Sequence, residues 1–333
     1  MELIINPTNK CNFNCDFCLA SDLPKTNITL TKLEKIIKNY SYNLSMIIIN
    51  GGDPLMMDPD FYYKLLEFVD KYCQKQIPIS FTTNLYDFYI NPDKWLDLFK
   101  KKYVGIITSF QVDNRRKLNN GEVYSKELYK EILEKFNSLI GYIPNSIAVI
   151  DKEKSIETMN ETLKVAREVG NMCRLNKAIV EGKEKNYYPR WKYYEDYLEV
   201  AKLNPDMIHY ELNYINIMNF FKNYTSSCPL SRRCNSQIKC INPDGKIFKC
   251  SNIAAAFPNK KEYSATSIND EFSNLYQYID IDCLSCENFQ FCNSCRFEIY
   301  EYITNEKTKS EFGKSDYCTH MRQLIPQYKK FFE

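Results

Sequence analysis

Only two histidines, His209 and His320, occur in this chain of 333 residues, and both lie far from the cysteines near its start. A zinc site of three thiolates completed by an imidazole close in sequence is therefore not the expected reading at the N-terminal end. Net charge is almost absent as well. Lys and Arg number 44 and Asp and Glu 42, leaving +2. Such a surface has no field to draw a phosphate backbone or an anionic lipid sheet, so neither a nucleic-acid nor a membrane partner is expected. No apolar run is long enough to span a bilayer, and the opening MELIINPTNK lacks the basic and long apolar regions of a secretory signal. A cytoplasmic location follows as the expectation. There, thiols stay reduced, so the fourteen cysteines are expected to be ligands or catalysts rather than disulfides. Fixed-period repeats, low-complexity tracts and Pro/Gly-rich linkers are missing too, which favours parts packed together over parts on a tether. The 26 Tyr and 20 Phe are ordinary packing material and carry no functional weight by number.

What is present is an alternation. Short β-rich runs at 3–7, 46–50, 77–83, 103–110, 146–150 and 172–179 are separated by amphipathic stretches at 31–40, 59–73, 92–101, 125–139, 156–169 and 193–202. Apolar residues recur at helical spacing in the latter, as in Leu33, Ile36, Ile37 and Tyr40. Strand then helix, six times over, is the pattern of a parallel sheet with crossover helices, and the unbroken apolar runs MIIIN and SIAVI suit strands covered on both faces. A doubly wound sheet and a closed or partial barrel share this periodicity. In both, ligands sit at the carboxyl ends of the strands. From about residue 214 the alternation stops and nine cysteines fall between Cys228 and Cys318. The expected division is 1–213 and 214–333.

Cys11, Cys15 and Cys18 follow the first strand at its carboxyl end with the spacing C-x3-C-x2-C. Short cysteine spacings hold iron–sulfur clusters, and three protein ligands leave one iron of a cubane free for another ligand. With Phe17 before the last cysteine, this stretch resembles the signature of the radical S-adenosylmethionine (SAM) enzymes. The resemblance implies a partial (β/α)6 TIM-type barrel. It also implies a [4Fe–4S] cluster on the three cysteines, with SAM chelated to the open iron and cleaved by one electron to methionine and a hydrogen-abstracting 5′-deoxyadenosyl radical. NGGDP at 50–54 resembles the family's GGEP motif, so Gly51, Gly52 and Asp53 are expected at the SAM amino group, with Asp53 one methylene shorter than the usual Glu. The family places further SAM contacts at strand ends. Here these positions hold Asn84, Ser109, Gln111 and Asn176, and Arg116 or Arg115 would pair with the SAM carboxylate.

The tail reads C-x5-C-x5-C-x9-C, then C-x2-C-x5-C-x2-C, then Cys318. This is similar to the SPASM extension of radical SAM enzymes, a cysteine-rich iron–sulfur domain with two auxiliary [4Fe–4S] clusters. By position, Cys228, Cys234, Cys250 and Cys295 would hold one, and Cys283, Cys286, Cys292 and Cys318 the other. Cys295 comes one residue early, which leaves Cys240 as its alternative. Two zinc ribbons are the competing reading, since paired C-x2-C is also a zinc spacing. Cys73 and Cys173 remain as small buried hydrophobes.

SPASM enzymes mostly modify residues within peptides or proteins. The main expectation is maturation of a ribosomally made peptide by crosslinking, thioether formation or epimerisation. With no room before Leu3 for a leader-recognition domain, leader binding is expected of a separate protein or the enzyme's own surface. An electron donor of flavodoxin or ferredoxin type is the other expected partner. One alternative is the sulfatase-maturing oxidation that yields formylglycine, although Ser251 follows Cys250 where those enzymes place a general-base Asp. The other is a non-catalytic cluster scaffold that binds a partner protein. No acid or base acting on substrate stands out; Asp113, Glu181 and Tyr187 lie near the barrel mouth.

Overall fold

The computed structural model describes residues 1–179, 187–206, 208–222, 238–256, 285–288 and 314–332. Its centre is one sheet of eight strands in the order β6-β5-β4-β3-β2-β1-β7-β8. These are β1 (Glu2–Ile5), β2 (Met46–Ile49), β3 (Ile79–Thr82), β4 (Val104–Ser109), β5 (Asn145–Ile150), β6 (Cys173–Lys177), β7 (Ile238–Ile241) and β8 (Ile247–Phe248). The first six are parallel and laid down in strict sequence, so strand order never reverses. A doubly wound sheet requires such a reversal. The barrel-type reading is the one that stands, and the chain forms a partial α/β barrel. Every crossover helix covers the same, outer face.

Several of the helices start on side-chain caps that the sequence supplies. Thr29 accepts from the Lys32 amide to open α1 (Leu30–Tyr40), and Asp58 with Pro59 opens α2 (Pro59–Tyr72). The stretch expected as one helix at 92–101 is divided. A five-residue helix α3 (Tyr86–Ile90), a 3-10 turn at Pro92–Lys94 and a single turn α4 (Leu96–Phe99) replace it. Pro92 lacks the amide that would carry α3 onward, so the chain restarts there as the 3-10 turn. Ser125 caps α5 (Lys126–Ile140), and α6 (Ser155–Val169) and α7 (Arg190–Leu203) complete the outer layer.

Among the described residues a small apolar core lies on the sheet's inner face, and two larger ones lie between the sheet and its helices. One lies between β1–β4 and α1–α5, centred on Leu33, Ile37, Ile47, Phe81, Trp95 and Phe136. The other lies between β5–β6 and α6–α7, closed by the C-terminal helix Lys314–Phe332 through Met321, Ile325 and Tyr328. The expected boundary at 213/214 falls inside the first turn of α8 (Leu212–Phe221), and beyond it the chain returns to the sheet, where β7 pairs parallel with β1. The sequence expectation stopped at six strands, because IKCI is too short and too mixed to stand out as a strand. No helix among the described residues is long and apolar enough to cross a membrane.

Candidate functional site

The three front cysteines lie on the loop between β1 and α1, and two neighbouring loops fix it. After β4, residues 115–119 run alongside as a strap: Asn14 N–H donates to Lys117 O (2.7 Å), Asp16 N–H to Arg115 O (2.8 Å) and Asn119 N–H to Asn12 O (3.1 Å). Phe13 and Leu118 form an antiparallel bridge, and the Asn119 side chain donates to Cys11 O (3.0 Å). Phe13 then packs edge-on against Tyr124, itself beside Phe110, which stacks on Tyr129 of α5 at 4.2 Å. The loop is thus bound to the body by backbone and aromatic contacts together.

From the other side the Gly-Gly-Asp segment after β2 presses against the base of the loop. Gly52 N–H donates to Thr8 O (2.9 Å) and Asp53 N–H to Lys10 O (2.8 Å). A Cβ on Gly51 would stand 2.4 Å from Thr8 O, and one on Gly52 2.2 Å from Lys10 O. Gly51 also has φ +124°, where side chains are strained. These glycines are required by the approach of two protein backbones, a role that the expected contact with SAM did not anticipate.

Asp53 is buried, and its carboxylate accepts from Leu55 N–H (2.9 Å), Asn84 N–H (2.8 Å) and the Thr83 hydroxyl (2.9 and 3.0 Å). Burial pushes its pKa up to about 6, against the pull of those donors. Its oxygens are occupied in tying the end of β3 to the end of β2. Asn84 in turn donates to Asn12 Oδ1 (2.7 Å) and brings its amide nitrogen to 3.9 Å from Cys11 Sγ.

Phe17 lies under both arginines, their guanidinium carbons 5.1 Å (Arg115) and 5.0 Å (Arg116) from its ring. Arg116 is buried and donates to Gln111 Oε1 (2.8 Å) and Ile147 O (3.3 Å). The same Gln111 oxygen accepts from Val149 N–H (3.1 Å), so Gln111 joins β4's end to β5. Arg115 is ion-paired with Asp151 and lies 3.7 Å from Asp113. Asp113 therefore answers an arginine; Tyr187 is half-buried, and Glu181 lies outside the described residues. Ser109 and Asn176 are half-buried on the inner face of the half-barrel, at the ends of β4 and β6.

The donor set, three thiols on one loop, is that of a soft metal. Burial raises the pKa of Cys11 and of Cys15, with the charge of Asp53 adding at Cys11 and the Arg116 guanidinium opposing at Cys15. Enclosed thiols hold their protons, so loading a soft metal here must release them; burial raises the pKa of Cys173 and Cys240 in the same way. A cleft of about 180 Å³ opens against Cys11 and Cys18, edged by Asn14, Lys25 and Asn119. Among the described residues no three Cys, His, Asp or Glu converge as they would on a single ion.

In the tail, Cys250 and Cys286 lie among the described residues; Cys228, Cys234, Cys283, Cys292 and Cys295, and the side chain of Cys318, lie outside them. Cys240 is fully buried in β7 opposite Ile4, with the Asn6 amide 3.5 Å from its sulfur. Cys250 leads into the short helix Ser251–Ala256, whose Ile253 and Ala254 pack on Ile4 and Ile48 of the sheet's inner face and on Ile179 beyond β6. Cys73 is half-buried at the end of α2, and Cys173 is fully buried among helices α6 and α7.

Sequence reasoning missed Asn12, Thr8 and Asn119, whose side chains or carbonyls fasten the loop, and gave Thr83 no part of its own. Thr83 lay inside the highlighted TTN segment; the others carry no periodic or motif signal.

Residues 5–166 match the model of the radical SAM superfamily. Along its whole length the chain is 22% identical to a cysteine-type anaerobic sulfatase-maturating enzyme of Clostridium perfringens, covering 95% of that protein. It is 21% identical to a protein of the same description from Clostridium novyi over 89% of this chain and 88% of that one. Among solved structures, native anSMEcpe with bound AdoMet superposes with a TM-score of 0.72 at 16% identity, covering 99% of this chain and 98% of the other. Streptococcus suis SuiB bound to precursor peptide SuiA gives 0.64 at 17% identity, over 95% and 75%. At these identities the structures establish the fold.

Proposed function

We propose that this chain is a radical SAM enzyme, built on a [4Fe–4S] cluster and SAM, and that it abstracts hydrogen from a residue within a peptide or protein substrate and so matures that peptide. When bound, the cluster supplies the electron that cleaves SAM to methionine and the 5′-deoxyadenosyl radical. The chain's own contribution is placement. Cys11, Cys15 and Cys18 would hold the cluster, Asn84 lies beside Cys11, and Arg116 offsets the charge at Cys15. The aromatic layer of Phe13, Phe110 and Tyr124 keeps water from the underside of the loop. Gly51, Gly52, Asp53, Ser109, Gln111 and Asn176 surround the strand ends where SAM would lie. Of these, Asp53 and Gln111 already have internal partners and would act by holding the strand ends in register.

One observation carries the peptide reading. The segment Cys250–Ala256, from the cysteine-rich tail, packs on the inner face of the sheet. A tail cysteine is thereby brought to the side on which substrate must meet the radical. The full-length likeness to sulfatase-maturating enzymes and the fold shared with a maturase bound to its precursor peptide support the same class. Two auxiliary [4Fe–4S] clusters on the tail cysteines belong to this proposal, as do a flavodoxin- or ferredoxin-type electron donor and a separate leader-binding protein.

Sulfatase-type oxidation is the second reading. The relatives favour it, and Ser251 at the position of the general-base Asp speaks against it. Anaerobically reconstituted protein given SAM and dithionite should release 5′-deoxyadenosine; none, with the front cluster intact, would leave a scaffold. Mass spectrometry of a peptide encoded beside the gene, or of a sulfatase peptide, then divides the reactions. A crosslink removes two hydrogens, epimerisation leaves the mass unchanged, and conversion of cysteine to formylglycine removes sulfur.

A further inference from the structure

Strand β6 carries a charge that no described residue answers. Cys173 and Leu175 turn to the helices and are fully buried there, so alternation turns Arg174 and Asn176 to the inner face. Arg174 is half-buried. Its Nε is shut off from water without a hydrogen-bond partner among the described residues, and no carboxylate among them pairs with it. Its cross-strand neighbour is Ile147, flanked on the far side by Ser109. Arg115 and Arg116, by contrast, are matched by Asp113, Asp151 and Gln111. An arginine drawn partly out of water without an anion is costly unless a ligand brings one, and its planar fork matches a carboxylate.

SAM is a poor source of that carboxylate. Its amino-acid end would be held at the cluster, on the loop after β1, and β6 is five strands away. At about 4.8 Å per strand this is roughly 24 Å along the curved sheet. We propose that Arg174 recognises the substrate: its guanidinium takes up a carboxylate carried by the peptide, on an acidic side chain or at a free C-terminus. This inference rests on the peptide reading above.

The test presents reconstituted full-length enzyme, loaded with SAM, with short randomised peptides made with free and with amidated C-termini. Retained peptides are identified by mass spectrometry, and SAM affinity is measured separately. Wild-type enzyme should enrich carboxylate-bearing peptides about 10- to 100-fold over their amide counterparts, the range of a charge-assisted pair. Arg174→Gln should lose that enrichment and Arg174→Lys should keep part of it. A preference confined to free C-termini assigns the terminal carboxylate; one that follows Asp and Glu assigns the side chain. Retention without preference for carboxylates, or a preference that survives Arg174→Gln, overturns the proposal and leaves the peptide reading standing. Retention of no peptide overturns both. A fall in SAM affinity in Arg174→Gln that matches its loss of enrichment gives the arginine to SAM and overturns the proposal as well.

Discussion

Asp53, behind the cysteine loop, and Glu211, at the far edge of the sheet, are enclosed to the same degree, and burial lifts each carboxyl to about 6. Each is surrounded by donors. Asp53 has Leu55, Asn84 and Thr83; Glu211 has the amides of Leu175 (2.9 Å) and Tyr214 (2.7 Å) and the hydroxyl of Tyr197. What differs is what each one joins. Asp53 ties two strand ends to the loop that bears the thiols, whereas Glu211 ties β6 to α7 and α8 in an apolar core, where its neighbour Cys173 is a single buried thiol, away from the cysteine loop. The same device thus serves geometry in one region and packing in the other, and perturbing each should separate loss of function from loss of stability.

The largest effect belongs to the front. Cys15→Ala should abolish SAM cleavage and lower the iron bound per chain, as read by 5′-deoxyadenosine release and iron content, while the apoprotein melts close to wild type. Gly52→Ala should follow. Its Cβ would lie 2.2 Å from a backbone oxygen, which cannot swing aside as a side chain can. We expect a stability loss of roughly 3 kcal/mol or more, together with failure to retain the front cluster. If Gly52→Ala kept its iron and its melting midpoint, the close approach of the two backbones would not be what fixes the loop.

These two variants also mark how far the sequence could be read. The cysteine spacing, the Gly-Gly-Asp turn and the six strand–helix units are local patterns, and a local pattern is visible in a string of residues. The strap of residues 115–119, the Gln111–Arg116 pair and the return of β7 beside β1 depend on residues distant in sequence meeting in space. Gln111 illustrates the limit. Its place at a strand end predicted a ligand contact, but both its oxygen and its amide have protein partners. The glycines show the converse: they stand out in the sequence, while the crossing of two backbones that also requires them appears only once the loops are assembled.

At the rear, Glu211→Gln should cost about 1–3 kcal/mol, because an amide must turn its NH2 toward a donor that the carboxylate accepted. The pH dependence has a definite sign. A carboxyl whose folded pKa is raised from 4.5 to about 6 adds stability in full below pH 4.5, and that contribution is lost as pH rises through 6. It amounts to roughly 2 kcal/mol. Melting midpoints of wild type minus variant should therefore shrink from pH 4.5 to 7, and iron content should not change. A difference that grew with pH would mean that Glu211 is stabilised as the anion.

The smallest effects make the sharpest test, because one hydroxyl can be removed from each carboxylate. Thr83→Val takes away a donor to Asp53 and an acceptor for the Leu85 amide; Tyr197→Phe takes away a donor to Glu211. Each should cost roughly 1–2 kcal/mol, the cost of leaving a buried partner short of one hydrogen bond. Matched stability losses make function the discriminating readout. Asn84 N–H and Thr83 share the carboxylate that sets the end of β3, and Asn84 is the side chain nearest Cys11 from that strand. Thr83→Val should therefore loosen the thiol site and speed release of iron to a chelator, whereas Tyr197→Phe should leave that rate at the wild-type value. Equal release rates in the two variants would mean that the front carboxylate, like the rear one, serves packing alone, and that the cysteine loop keeps its shape through the strap and the glycines.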